Sequence, residues 1–203
     1  MKSMPLVSLV LLAAAYALPW MTVPTVSGLT VSAYDLAEWG SIHPAVRADT
    51  LLLTPLLLRL PLVCLAVWVA CQPVAYWLRI VFVVLLAGAS LPPLEFFTIA
   101  RSDANYQQQF LLALAALVGG GAMIGISALQ QRVAHVLISA VAAVALGGGA
   151  LAALLGMLRA HTLFRDFALD VQTGIGSVVF VAAAAFTIII QFSALFKREK
   201  RQA

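Results

Sequence analysis

The hydrophobic positions of this chain fall in long unbroken blocks. Apolar runs occupy roughly residues 4–20, 51–71, 74–91, 110–129, 133–157 and 173–196. Each is near the ~20 residues that an α-helix needs to cross a hydrocarbon core of ~30 Å, the first and third being the shortest. The segments between them are polar. Gln72-Pro73 and Gln130-Gln131-Arg132 read as tight turns, so the helices on either side of each are antiparallel neighbours. Pro92-Pro93 ends the third run, because proline has no N–H with which to continue a helix. The pattern predicts an all-α fold, a polytopic membrane bundle of about six transmembrane helices in a single domain over residues 1–203. The first run lies behind Lys2 and carries Ala15-Tyr16-Ala17, which is also how a secretory signal is built. It is read here as a retained helix, with Tyr16 and Trp20 at the interface that favours amphipathic rings.

One long stretch, Trp20–Arg59, does not fit wholly in lipid. It holds Asp35, Glu38, Trp39, His43, Arg47 and Asp49. Pro24, Ser27 and Gly28 mark turns. Ser32-Ala33-Tyr34-Asp35-Leu36 has the spacing of a capped helix start, with Ser32 as the cap and Asp35 at the third position. A second short helix is expected from Pro44, since proline suits a first helical position. With Leu94–Gln109 and Arg159–Gln172, this stretch supplies three loops on one side of the bundle, expected to form a cap.

Composition agrees with a lipid solvent. The 203 residues are 63% hydrophobic and 10% charged; a water-soluble domain carries roughly 25% charged residues. Charge also predicts orientation. With an even number of crossings, one side holds Lys2, Arg79, Arg132, Lys197, Arg198, Lys200 and Arg201 against Glu199. The other holds Arg47, Arg59, Arg101, Arg159 and Arg165 against Asp35, Glu38, Asp49, Glu95, Asp103, Asp166 and Asp170. Lys and Arg in short loops resist translocation, so the first side, with both termini, is expected to be cytoplasmic in a multi-pass cell-membrane protein. The other side uses arginine as its only cation besides histidine, a residue that pairs bidentately with carboxylates.

Candidate chemistry is sparse. No acidic residue falls inside an apolar run, and neither HExxH nor GxSxG occurs. This argues against proteases, hydrolases and ion-coupled transporters that rely on intramembrane carboxylates. His43 and His161 fall in loops and His135 near one end of the fifth run, with no ligand spacing within a run. Cys64 and Cys71 are seven apart on one expected helix, too far for a disulfide, and read as small apolar residues. Gly174-x-Gly176 is a weak nucleotide signal. Two glycine triplets, Gly119-Gly120-Gly121 and Gly147-Gly148-Gly149, with Gly125 completing a GxxxG, are candidate packing faces, expected to bring the fourth and fifth helices together. No cofactor is predicted; the glycine faces leave room for a lipid tail or a quinone. Arg59, flanked by leucines and by Pro55 and Pro61, is the one charge well inside a run. It is a candidate lipid or ion-pair site with Glu95 as the expected partner, at the near end of the adjacent helix.

These features favour a non-catalytic subunit that packs within a larger membrane complex, of electron-transport or photosynthetic type. Its expected partners are membrane lipids and other integral membrane subunits, not nucleic acid. The alternative is a transporter or channel component, with Ser127, Ser139, Ser177, Thr187, Gln191 and Ser193 as the available polar lining. A further alternative is an intramembrane lipid enzyme in which Arg59 holds a phosphate.

The orientation is tested by single cysteines in a background lacking Cys64 and Cys71. Cysteines at Ser102 and Thr162 are expected to react with an impermeant maleimide on intact cells, and one at Gln202 only after permeabilisation. Labelling at Gln202 alone inverts the orientation.

Overall fold

The computed structural model describes residues 4–24, 29–49, 51–128 and 134–199, and the side chains of these except at 134–135 and 194–199. Lys2, Ser27, Gly28, the Gln130-Gln131-Arg132 turn, Lys200 and Arg201 lie outside the described residues, as do the side chains of His135, Lys197, Arg198 and Glu199.

The chain runs α1 (Met4–Ala17), β1 (Pro19–Val23), β2 (Leu29–Ser32), α2 (Ala33–Ile42), α3 (Pro44–Arg47), α4 (Leu53–Ala70), α5 (Tyr76–Ala89), α6 (Glu95–Thr98), α7 (Ala104–Ala128), α8 (Ala134–Asp166), β3 (Gln172–Thr173) and α9 (Ile175–Glu199). The fold is mostly helical. Helices α4, α7, α8 and α9 are long and apolar enough to cross a membrane. Helices α1 and α5 are apolar but only 14 residues each, about 21 Å at 1.5 Å per residue.

Two boundaries differ from the apolar runs. Helix α7 begins at Ala104, because Asp103 caps it, accepting from the N–H groups of Asn105 at 2.9 Å and Tyr106 at 3.3 Å. Helix α8 continues to Asp166, so Arg159, Thr162 and Arg165 are helical rather than in a loop. Its 33 residues make it about 50 Å long, more than the ~30 Å of a hydrocarbon core. A helix does not end where its apolar run ends when polar surroundings continue to satisfy its surface.

The expectation of pure helix also needs correction. A small antiparallel sheet of order β2-β1-β3 joins the segment after α1 to the one before α9. Gly174 and Gly176 make this possible. A Cβ at Gly174 would lie 2.3 Å from the Pro19 carbonyl oxygen, and one at Gly176 2.6 Å from the Trp20 ring. The pair is a site of close backbone approach, sealed by the Gly174 N–H donating to Trp20 O at 2.7 Å. Trp20 and Tyr16 are buried within the protein. Their rings pack edge to face on each other and both contact Phe180, and the Trp20 indole donates to Ala15 O at 2.9 Å.

The core is organised around α4, whose apolar window is 67% buried against 22% for α7 and 33% for α8 and α9. The glycine triplets do not bring α7 and α8 together on each other. Both face α4, from different sides. A Cβ at Gly119 would lie 3.2 Å from Val67, and one at Gly149 2.8 Å from the Cβ of Cys64. Gly156, one heptad further along α8, lies as close to Leu58. A Cβ at Gly120 would lie 2.6 Å from Val83 of α5, and one at Gly147 3.8 Å from Ile188 of α9. A Cβ at Gly121, Gly125 or Gly148 would meet nothing within 4 Å among the described residues.

Leucine at Gly120 or Gly149 is therefore expected to overpack the seam and lower stability by about 1–3 kcal/mol. Leucine at Gly148 is expected to be neutral. Thermal unfolding in detergent separates the two groups; equal losses at Gly148 and Gly149 would show that the seam lies elsewhere.

Candidate functional site

Arg59 lies six residues into α4 from Leu53, about 9 Å along its axis. It is fully buried. The helix continues through Pro61; that residue's missing N–H leaves the Leu57 carbonyl without a helical donor. Beside it, the Tyr16 hydroxyl of α1 donates to Leu58 O at 2.9 Å.

The Arg59 guanidinium is occupied on several sides. Nη1 donates to the carbonyls of Leu91 at 3.0 Å and Ser90 at 3.3 Å. These lie just past the C-terminus of α5, where Pro92-Pro93 offers no N–H. A cation there also meets the negative end of the helix dipole. Nη2 pairs with the Glu38 carboxylate of α2. The guanidinium carbon sits 4.6 Å from the centroid of the Tyr34 ring, within the range of cation–π attraction. Nε is buried with no partner among the described residues.

The acid that meets Arg59 is thus Glu38, and the expected pairing with Glu95 is corrected. Glu95 opens α6 beyond Pro92-Pro93, is exposed, and has no ion pair among the described residues. Arg59 engages the backbone immediately before the prolines, so the chain turns away before Glu95 is reached. The residues that sequence reasoning missed, Tyr34 and Glu38, are four apart on α2 and share one face. Their signal lay in the capping box, which forms as expected: Ser32 accepts from the Asp35 N–H, and Asp35 accepts from Ser32. It fixes where α2 begins and hence which way these side chains point.

The neighbouring loops close over the same end of the bundle. Arg47 pairs with Asp103, the Leu52 N–H donates to Gln108 at 3.0 Å, and Gly40 lets α2 approach Thr54 of α4. Pro44 begins α3 as expected, capped by the His43 ring, which accepts from the Ala45 N–H at 3.2 Å. His161 contacts the Val171 carbonyl at 3.1 Å. Among the described residues no three His, Cys, Asp or Glu side chains gather as metal ligands.

At the other end Arg79 of α5 mirrors Arg59. Its Nη1 donates to Ser127 Oγ of α7 at 2.5 Å and to Ala70 O, at the C-terminus of α4, at 3.3 Å. The remaining polar groups in the apolar runs are mostly used as ties. Gln191 accepts from the Trp68 indole at 3.4 Å and donates to Ser139 O at 3.3 Å, linking α9, α4 and α8. Ser127 and Ser177 donate to the carbonyls of Ile124 and Gly174. Thr187 is buried and Ser193 exposed.

Removing one partner of a buried pair strands the other, at a cost of about 3–5 kcal/mol. The Glu38 side chain is 27% exposed, so Arg59→Gln and Glu38→Gln are each expected to cost less than this, about 1–3 kcal/mol. Combining them is expected to recover about 2 kcal/mol relative to additivity. Arg59→Gln with Glu95→Gln is expected to be additive. Chemical unfolding of the two double-mutant cycles checks the assignment, and coupling to Glu95 with none to Glu38 overturns it.

Comparison with known protein families, with characterised proteins and with solved structures finds no match to this chain.

Proposed function

We propose that the chain is a multi-pass membrane protein crossing the bilayer six times, with its loop-rich end extracytoplasmic and both termini cytoplasmic. In this reading it acts as a non-catalytic subunit that packs within and stabilises a larger membrane assembly. The observation that carries the assembly reading is the open face of α7. Gly121 and Gly125 form a GxxxG at which an added Cβ would meet nothing within 4 Å among the described residues outside its own helix turn. Helices in lipid associate where small residues let backbones come close, so this face suits a helix of another subunit. It lies apart from the inner glycines, which α4 and α5 already fill.

The two arginines support the structural half of the reading. Arg59 and Arg79 direct Nη donors to helix-end carbonyls, a carboxylate and a hydroxyl of the same chain. The six-crossing reading draws on α1 and α5, whose ends lie with those of the four long helices. The segment after α1 pairs with the one before α9, and the segment after α5 is bound by Arg59.

The test is extraction from the native membrane in mild detergent, comparing the wild type with Gly121→Leu/Gly125→Leu. The substitutions enter open space and are expected to leave thermal stability within about 0.5 kcal/mol of wild type. They are expected to reduce copurifying integral membrane partners at least tenfold, the factor that 1.4 kcal/mol of lost association gives. A wild type that leaves the membrane as a lone monomer, or a variant that keeps its partners, counts against the assembly.

A further inference from the structure

Between α5 and α7 runs an apolar groove of about 210 Å³, lined by Val84, Ala87, Gly88, Leu91, Phe110 and Leu117 among others. It lies on helices whose composition suits the hydrocarbon core, and its lining offers hydrogen-bonding side chains to no ligand. At its Leu91–Phe110 end the Phe110 ring packs against Phe96 and Phe97, with centroids 5.4 and 6.3 Å apart. These belong to α6, whose flanking residues Leu94 and Ile99 are 82% and 86% exposed. A single helical turn with aromatic and apolar side chains on its outside suits the boundary between acyl chains and head groups.

Two charges of opposite sign, unpaired among the described residues, flank this turn, Glu95 at its start and Arg101 three residues past its end. Arg101 is anchored through Nε and Nη2 to the Phe97 carbonyl, at 3.3 and 3.1 Å. Its Nη1 has no protein partner among the described residues. Glu95 is exposed, and its backbone carbonyl is tied to the Ala100 N–H at 2.9 Å, one residue before Arg101. The two share one short segment, yet the ion pairs among the described residues are Arg47–Asp103 and Arg59–Glu38.

We infer that the groove holds an acyl chain of a phospholipid with a phosphoethanolamine-type head group, its phosphate on Arg101 and its primary ammonium on Glu95. An ammonium donates hydrogen bonds to a carboxylate, as lysine does. A phosphocholine head has no N–H to donate, and a phosphoglycerol head brings no cation to Glu95. The inference rests on the membrane placement above and not on the subunit reading.

The probes are phosphatidylethanolamine, phosphatidylcholine and phosphatidylglycerol of equal chain length, added to delipidated protein in detergent and read by native mass spectrometry. The wild type is expected to retain phosphatidylethanolamine about tenfold better than the other two. Gly88→Leu fills the groove in open space, since a Cβ there meets nothing within 4 Å. It is expected to lower retention of every phospholipid at unchanged thermal stability, and Gly88→Ala to do so less. Arg101→Gln is expected to weaken phosphatidylethanolamine and phosphatidylglycerol alike. Glu95→Gln is expected to remove the preference between them. Unchanged retention in folded Gly88→Leu and Gly88→Ala overturns the groove, and so does equal competition by chain-free glycerophosphoethanolamine. A head-group order that Glu95→Gln leaves intact overturns the lipid identity. Partner loss in Gly121→Leu/Gly125→Leu is a separate readout, so the two proposals fail separately.

Discussion

Where water is excluded, a backbone carbonyl that loses its helical donor has to find another within the protein. Pro92-Pro93 creates that demand at the end of α5, and the buried Arg59 meets it. A guanidinium so placed is itself costly to bury. The cost is offset by Glu38, by the face of Tyr34 and by the dipole of the helix it caps. Glu38 and Tyr34 reach Arg59 only because α2 lies across α4, and α2 is fixed by the Ser32–Asp35 capping box and by Gly40 against Thr54. The proline stop, the arginine, the surface helix and its cap therefore depend on one another.

The arrangement is reciprocal. Arg59 of α4 secures the end of α5, and Arg79 of α5 secures the end of α4. Two antiparallel helices thus each carry the cation that caps the other. Arginine suits this task because its fork serves several acceptors at once and it stays charged when buried. A lysine, as a compact point charge, would leave part of each acceptor set unserved.

Much of this was legible in the sequence, and the failures have physical causes. Apolar blocks located the six main helices, of which four are long and apolar enough to cross a membrane. The capping box and Pro44 located α2 and α3, because both signals act on neighbouring backbone. Arg59 stood out as a charge among leucines. Its partner did not, because Glu38 lies 21 residues away and is joined to it by a tertiary crossing that no local pattern encodes. Glu95 was nearer along the expected bundle edge, but the double proline turns the chain outward first. The β2-β1-β3 sheet was hidden for a related reason. Its strands are short, and the decisive feature, the approach of Gly174 and Gly176 to Pro19 and Trp20, looks in sequence like any glycine pair.

The glycines show where a motif stops informing and contact takes over. Glycine in a helix costs about 0.5–1 kcal/mol relative to alanine, and close packing is what offsets it. At Gly119, Gly120, Gly149 and Gly156 the offset is visible: Val67, Val83, Cys64 and Leu58 occupy the space a side chain would need. Gly121 and Gly125 have the same spacing rule and the same helix, yet an added Cβ there would meet nothing within 4 Å among the described residues. Acyl chains mould to alanine as readily as to glycine, so lipid alone gives no return on the lost propensity. A second backbone does, because it approaches more closely the smaller the side chain between. The outward glycines are therefore the part of this bundle that its own packing leaves unaccounted for, and the proposed subunit contact would account for them.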